Sequence, residues 1–180
     1  MTFSAYAADE PFVNGPTINC LAYSASPSAT NAEVPASWHE LGVGEWRVID
    51  NLCPQVKHFP TGVILSPGAV YRISAVGKWR DGFLPPVGPN GWNGWILTIG
   101  NRIRLKPMFM LSASIGMDDK WLYSIGANKD FTTPSTLPVE SSHHLYLFAN
   151  DLSSDGFYAN NREATPAEGG PMRVTIRRIK

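Results

Sequence analysis

No stretch of this chain keeps a helical spacing of apolar residues over about ten positions. Instead, short apolar or alternating runs recur, each closed by glycine, proline, asparagine or serine. "EWRVIDN" (45–51) alternates, with Trp46, Val48 and Asp50 on one face. "TGVILS" (61–66), then Pro67-Gly68, then "AVYRISAVGKW" (69–79) reads as a hairpin closed by a Ser-Pro-Gly turn. In its second arm Ala69, Tyr71, Ile73 and Ala75 form the better core face, against Val70, Arg72, Ser74 and Val76. "WILTIG" (95–100), "MFMLSASIG" (108–116), "WLYSIG" (121–126), "HHLYLFAN" (143–150) and "MRVTIRRI" (172–179) read as further strands. "DGFLPPVGPNGWNG" (81–94) and "NKDFTTPSTLPVESS" (128–142) read as loops. Seven or more short strands separated by turns predict an all-β protein, an antiparallel β-sandwich.

Composition agrees with that class. The 16 glycines and 15 prolines are dispersed rather than clustered. Six Trp and six Tyr suit half-buried pleated surfaces and ligand-stacking platforms. Fifteen basic and fifteen acidic residues leave no net charge, so nothing builds the field that nucleic acid or an anionic membrane requires. The basic end "RVTIRRIK" reads as a final strand with its charges on the exposed face. No run approaches the roughly 18 apolar residues of a membrane span. "MTFSAYAADEPF" lacks the pattern of an intact signal peptide, while an exported or extracellular setting is favoured.

Residues 1–33 are rich in Ala, Ser, Pro, Asn and Thr and read as an extension, with "TINCLAY" (17–23) as a strand within it. The domain proper is expected over 34–180. Cys20 and Cys53 are the only cysteines. Two readings stand for them: one disulfide tying the extension to the body, or two buried thiols.

The densest chemistry lies in "NDLSSDGFYANNRE" (150–163). Asp151, Ser153, Asp155 and Gly156 match the front half of an EF-hand loop, but its twelfth position is Arg162 and Glu163 falls one residue late. Strand-like runs flank it where an EF-hand needs helices. A different oxygen site fits better. Asp151 closes a strand, and the pair Asn160-Asn161 returns towards it across a Gly-bearing loop. A carboxylate, amide oxygens and backbone carbonyls are the hard ligands Ca²⁺ takes. The competing account is that Asp and Asn are simply good turn residues.

Other polar groups carry less. His143 and His144 are adjacent and so point to opposite faces of a strand. His39-Glu40 and His58 have no zinc spacing. Asp118-Asp119 reads as a hairpin turn. No Gly-x-Ser-x-Gly elbow occurs, and nothing pairs Asp81, Asp130 and Asp155 as the two carboxylates of a glycosidase. No catalytic residue is assigned, and an enzyme is not expected.

The block "YLFANDLSSDGFYANN…GGPMRVTIRRI" resembles the calcium site of the bacterial soluble galactophilic lectins. "LSPGAVYRISAVGKWRDG" followed by "GPNGW" is similar to that family's early hairpin and Gly-Pro-x-Gly loop. The resemblance covers roughly 43–180. It implies a galactose-binding-domain-like or jelly-roll sandwich in which Ca²⁺ bridges the protein and two vicinal sugar hydroxyls. By that resemblance the metal ligands are Asp151, Asn160, Asn161 and the backbone carbonyls of Asp81 and Phe157. The sugar contacts are Asp151, Asn160, Trp92 and Asn93. The partner implied is a galactoside-like glycan, and weak single sites imply a homo-oligomer or fusion to a larger chain. Three departures stand out. The Asp151–Asn160 loop is longer than the family's, "REATPAEGG" is inserted before the last strand, and the family's His and Gln on the sugar have no counterpart. Trp92, Asn93 and Trp95 occupy that loop instead. The alternative function is a non-catalytic accessory or partner-binding domain of a larger exported hydrolase or effector, keeping the fold without the sugar.

Overall fold

The computed structural model describes residues 13–14, 20, 38–93, 97–136, 143–152 and 155–180. Two sheets enclose one core. The first contains β1 (Val13–Asn14), β3 (Trp46–Ile49), β13 (Arg173–Arg178), β5 (Val70–Val76) and β10 (Asn128–Thr132), in that spatial order. The second runs β2 (His39–Glu40), β4 (Phe59–Ile64), β11 (His144–Ala149), β8 (Met108–Ile115) and β7 (Asn90–Trp92), with β9 (Leu122–Ser124) also on β8. A separate ribbon pairs β6 (Trp79–Asp81) with β12 (Asn161–Glu163). Among the described residues only the pairs β1–β3 and β2–β4 are parallel. This is the expected all-β sandwich.

Alternation explains the layers. On β5, Tyr71, Ile73 and Ala75 are buried while Arg72 and Val76 are exposed, as the pattern predicts. They meet Ile49 of β3, Val174 and Ile176 of β13, and the opposing Phe59, Val63, Leu111, Leu145 and Leu147. On β3, Trp46 and Val48 face away from that core, beside Ser74 and Thr175 of the same sheet. Arg47 turns inward, where its Nη1 donates to the Gly62 carbonyl at 3.1 Å. Burial pushes its guanidinium below the usual Arg value. Arg173 and Arg177 of β13 are exposed, as expected for the basic end.

Several expectations are corrected. The runs 61–66 and 69–79 are not a hairpin: β4 and β5 belong to different sheets, so the Ser66–Ala69 turn arches across the sandwich. Its chemistry is the same in either role. The Ala69 amide donates to the Ser66 carbonyl (3.2 Å), and the Ser66 amide to the Tyr71 hydroxyl (3.0 Å). In "WILTIG", Leu97–Ile99 is a 3₁₀ turn, and residues 94–96 lie outside the described residues. The loop expected over 128–142 opens with β10, an edge strand whose buried hydrophobic is Phe131. The loop expected over 81–94 contains β7 and a bridge from Val87 to Trp79.

Most of residues 1–33, the boundary drawn after them and the bulk of "TINCLAY" lie outside the described residues. Two described points of that segment attach to the body. β1 pairs with β3 in the register Val13–Arg47 and Asn14–Val48. Cys20, which is helical, forms a disulfide with Cys53, with Cα atoms 5.4 Å apart. Among the described residues no helix is long and apolar enough to cross a membrane.

Candidate functional site

The β6–β12 ribbon sets the site. Asn161 stands opposite Asp81 in the register. The Gly82 amide donates to the Asn160 carbonyl at 3.0 Å, extending the pairing by a step. Trp79 anchors the ribbon: it is fully buried, and its indole Nε1 donates to the Phe109 carbonyl at 2.8 Å. Phe109 itself has a positive φ of 58°, in the part of β8 that pairs with β7, and its amide donates to the Asn150 carbonyl at 2.9 Å.

β11 delivers the other wall. Past its end, the Asn150 side chain donates to the carbonyls of Ile103 and Pro107 (both 3.1 Å) and accepts from the Ile103 amide (2.7 Å). Asp151 follows, only 2% exposed, and its carbonyl accepts from the Arg102 amide at 2.8 Å. The chain then passes through α1 (Asp155–Tyr158). The buried Tyr158 hydroxyl donates to the Ala149 carbonyl at 2.8 Å and so ties α1 back to the root of the loop. Burial raises that phenol well above its usual value.

Four predicted residues therefore converge. Asp151 Oδ1 accepts from the Leu152 amide (2.7 Å), and Oδ2 accepts from Asn161 Nδ2 (3.1 Å). Asn161, 1% exposed, sends a second bond from Nδ2 to the Pro54 carbonyl at 3.1 Å. Its Oδ1 has no hydrogen-bond partner among the described residues. Asn160, on the exposed side, hydrogen-bonds the Asp81 carboxylate.

The electrostatics ask for positive charge. Burial pushes the Asp151 carboxyl up to about 6, against the bonds from Leu152 and Asn161, and the Asp81 charge adds to the rise. Burial also raises Asp81, opposed by its bond from Asn160. Among the described residues neither carboxylate makes an ion pair. Buried carboxylates without a countercharge are costly.

Trp92, 45% exposed at the end of β7, faces a cavity of about 200 Å³ that Asp81 also lines, with Leu84, Val87 and Phe109. Asn93 follows it and is exposed. Phe157 lies on α1, exposed, directly before Tyr158. Chain position alone puts Asn93 and Phe157 at the border of the cluster. The Asp81 carbonyl accepts from the Leu84 amide at 2.7 Å, and a carbonyl keeps a second lone pair after one such bond. Ser153 and Trp95 lie outside the described residues.

Sequence reasoning missed a second charged cluster. Asp119, at the hairpin turn with φ 56°, meets His58 Nε2 at 3.1 Å and the buried Arg102 guanidinium. Burial alone would raise the Asp119 carboxyl, but the bonds from His58 and Arg102 hold it well below the carboxylate range. Arg102 also lies 3.8 Å over the Phe148 ring. Three distant segments assemble this cluster, so no spacing could announce it. The only signal was the acidic pair in the turn. His144 is stacked on Trp38 at 3.7 Å, a packing role and not a chelating one.

The fold and the cluster define a β-sandwich with a recessed, oxygen-rich site between a β-ribbon and a strand end. No protein-family model matches the chain, and no curated protein sequence does. Among solved structures it is similar to a chain described as "EclA N-terminal domain; PllA-like lectin". The identity is 23% and the TM-score 0.46, over 74% of this chain and 94% of that one.

Proposed function

We propose that this protein is a calcium-dependent carbohydrate-binding module of lectin type, taking galactose or a related sugar with vicinal hydroxyls. One observation carries the reading. Two recessed carboxylates, Asp81 and Asp151, stand beside Asn161, whose buried Oδ1 has no hydrogen-bond partner among the described residues. Oxygen donors of this kind, lacking a cationic partner, fit a hard divalent ion.

Asp151, Asn161 and Asn160 would hold the ion through side-chain oxygens, and Asp81 and Phe157 through carbonyls. When bound, Ca²⁺ supplies open coordination positions that two adjacent hydroxyls can fill. The chain's own residues do the rest. Asp151 and Asn160 accept and donate hydrogen bonds to those hydroxyls, which sets the stereochemistry of the sugar taken. Trp92 offers an apolar face for the ring, and Asn93 a further amide. Binding at a single such site is weak, so useful avidity comes from several copies or from fusion to other modules.

Thermal melting tests the metal. A ligand that binds only the native state raises the melting temperature. Millimolar Ca²⁺ is expected to raise it, EDTA to reverse the rise, and Asp151→Ala to abolish it. An unchanged melting temperature in the wild type would overturn the reading. A glycan array in Ca²⁺ then tests the sugar. A blank array from a calcium-binding protein would favour the accessory-domain alternative.

A further inference from the structure

The Cys20–Cys53 disulfide lies against the same strand as the site. Both sulfurs and a carboxylate oxygen of Glu163 lie within 4.8 Å of one another. Glu163 is two residues past Asn161 on β12, so the two side chains share a face. Pro54, bonded to Cys53, supplies the carbonyl that accepts from Asn161 Nδ2. Cys53 is fixed from both sides: its carbonyl accepts from the Val56 amide (3.2 Å), and the neighbouring Leu52 amide donates to the Met172 carbonyl (2.9 Å). Asn51 Nδ2 donates to Glu163 Oε1 at 2.9 Å, so the segment 51–54 is laced to β12 at two points.

An amide side chain has two donor hydrogens and one acceptor oxygen. In Asn161 both hydrogens are used, one on Pro54 and one on Asp151. Those two bonds decide which way Oδ1 faces. Without the Pro54 carbonyl, one hydrogen of a buried amide loses its partner, and the flipped orientation becomes competitive.

We infer that the Cys20–Cys53 disulfide is a positioning element for the binding site, holding the Pro54 carbonyl where it orients the Asn161 amide. Its consequence for calcium rests on the function proposed above. Outer-shell partners of metal ligands commonly change affinity 10- to 100-fold when lost.

The test compares the oxidised wild type with Cys20→Ser/Cys53→Ser, each with and without Asn161→Asp. Calcium affinity is measured by isothermal titration. The double serine variant is expected to bind Ca²⁺ at least about tenfold more weakly. In the Asn161→Asp background the carboxylate still offers an oxygen but has no hydrogen for Pro54, so removing the disulfide should have no further effect. Equal affinity without the disulfide overturns the inference. So does an equal loss in both backgrounds, which would mean the disulfide acts through general stability.

If the oxidised wild type binds no Ca²⁺, the proposed function fails while the positioning role is still decided by NMR. The Asn161 side-chain NH₂ signals, identified by their loss in Asn161→Asp, should shift and exchange faster without the disulfide. Unmoved signals overturn the inference. Should the double variant not fold, both readouts are taken on wild type reduced by a water-soluble phosphine. That reagent and one water convert the disulfide to two thiols and leave the phosphine oxide.

Discussion

Asp151 illustrates how a residue proposed for binding works against stability. Its carboxyl sits at about 6 in the folded protein, chiefly through burial, above the roughly 4 of an exposed aspartate. Below pH 4 it is protonated in both states and costs nothing. Between about 4 and 6 the unfolded chain releases the proton and the folded chain keeps it, so stability falls as pH rises. At pH 7 without metal the loss attributable to this group amounts to about 3 kcal/mol. Asp151→Asn should therefore be more stable than the wild type at pH 7 in EDTA, with the gap closing towards pH 4. Urea denaturation at both pH values checks this, and a gap that does not depend on pH would refute it. If the site takes Ca²⁺ as proposed, the ion competes with that proton, so its affinity should climb through pH 6 and then level off. Asp151, Asn160 and Asn161, three of the four residues the structure brings together, were legible because carboxylate and amide side chains cluster in one short run, whereas Asp81 came only through the resemblance. The Asn161 oxygen, which has no partner among the described residues, was not legible, since its orientation depends on Pro54, 107 residues away in the chain.

At the scale of elements, the bend between β5 and β6 carries the ribbon that holds Asp81. Gly77 makes that bend, with φ at +93°. A Cβ there would lie 2.1 Å from the Pro171 carbonyl oxygen, which is backbone and cannot swing aside. Gly77→Ala should cost about 1–3 kcal/mol and weaken the proposed calcium binding as the ribbon shifts. A melting curve and a calcium titration of the variant test both parts, and unchanged values would refute the account. Elements with strong alternation, such as β5 and β13, were plain from the sequence. Others were not, for separate reasons. "NKDFT" has Phe131 as its buried hydrophobic, because β10 lies at a sheet edge and needs little apolar surface. "WILTIG" is a short continuous apolar run, and such runs have no period that separates strand from tight helix. A Ser-Pro-Gly turn reads alike whether the chain returns to the same sheet or crosses to the other.

For the whole molecule, the disulfide closes a loop with a sequence separation of 33 residues. A closed loop of that length limits the unfolded chain by about 3–5 kcal/mol. It also attaches the N-terminal segment to the wall behind the site, something cysteine count alone left open.

The position of β13 has a consequence for how the molecule is made. This strand, residues 173–178, lies between β3 and β5 in the middle of its sheet. It touches Ile49 and Val76 in register, partners separated from it by most of the chain. The earlier strands thus emerge from synthesis with a slot still open between them. Two facing rows of unpaired amides and carbonyls remain exposed until β13 arrives. Completion of the sheet is a late, long-range event, and topologies of this kind fold slowly. Ending the chain after Met172 should leave a product that aggregates or is degraded, and adding a peptide of residues 173–180 during refolding should rescue soluble protein.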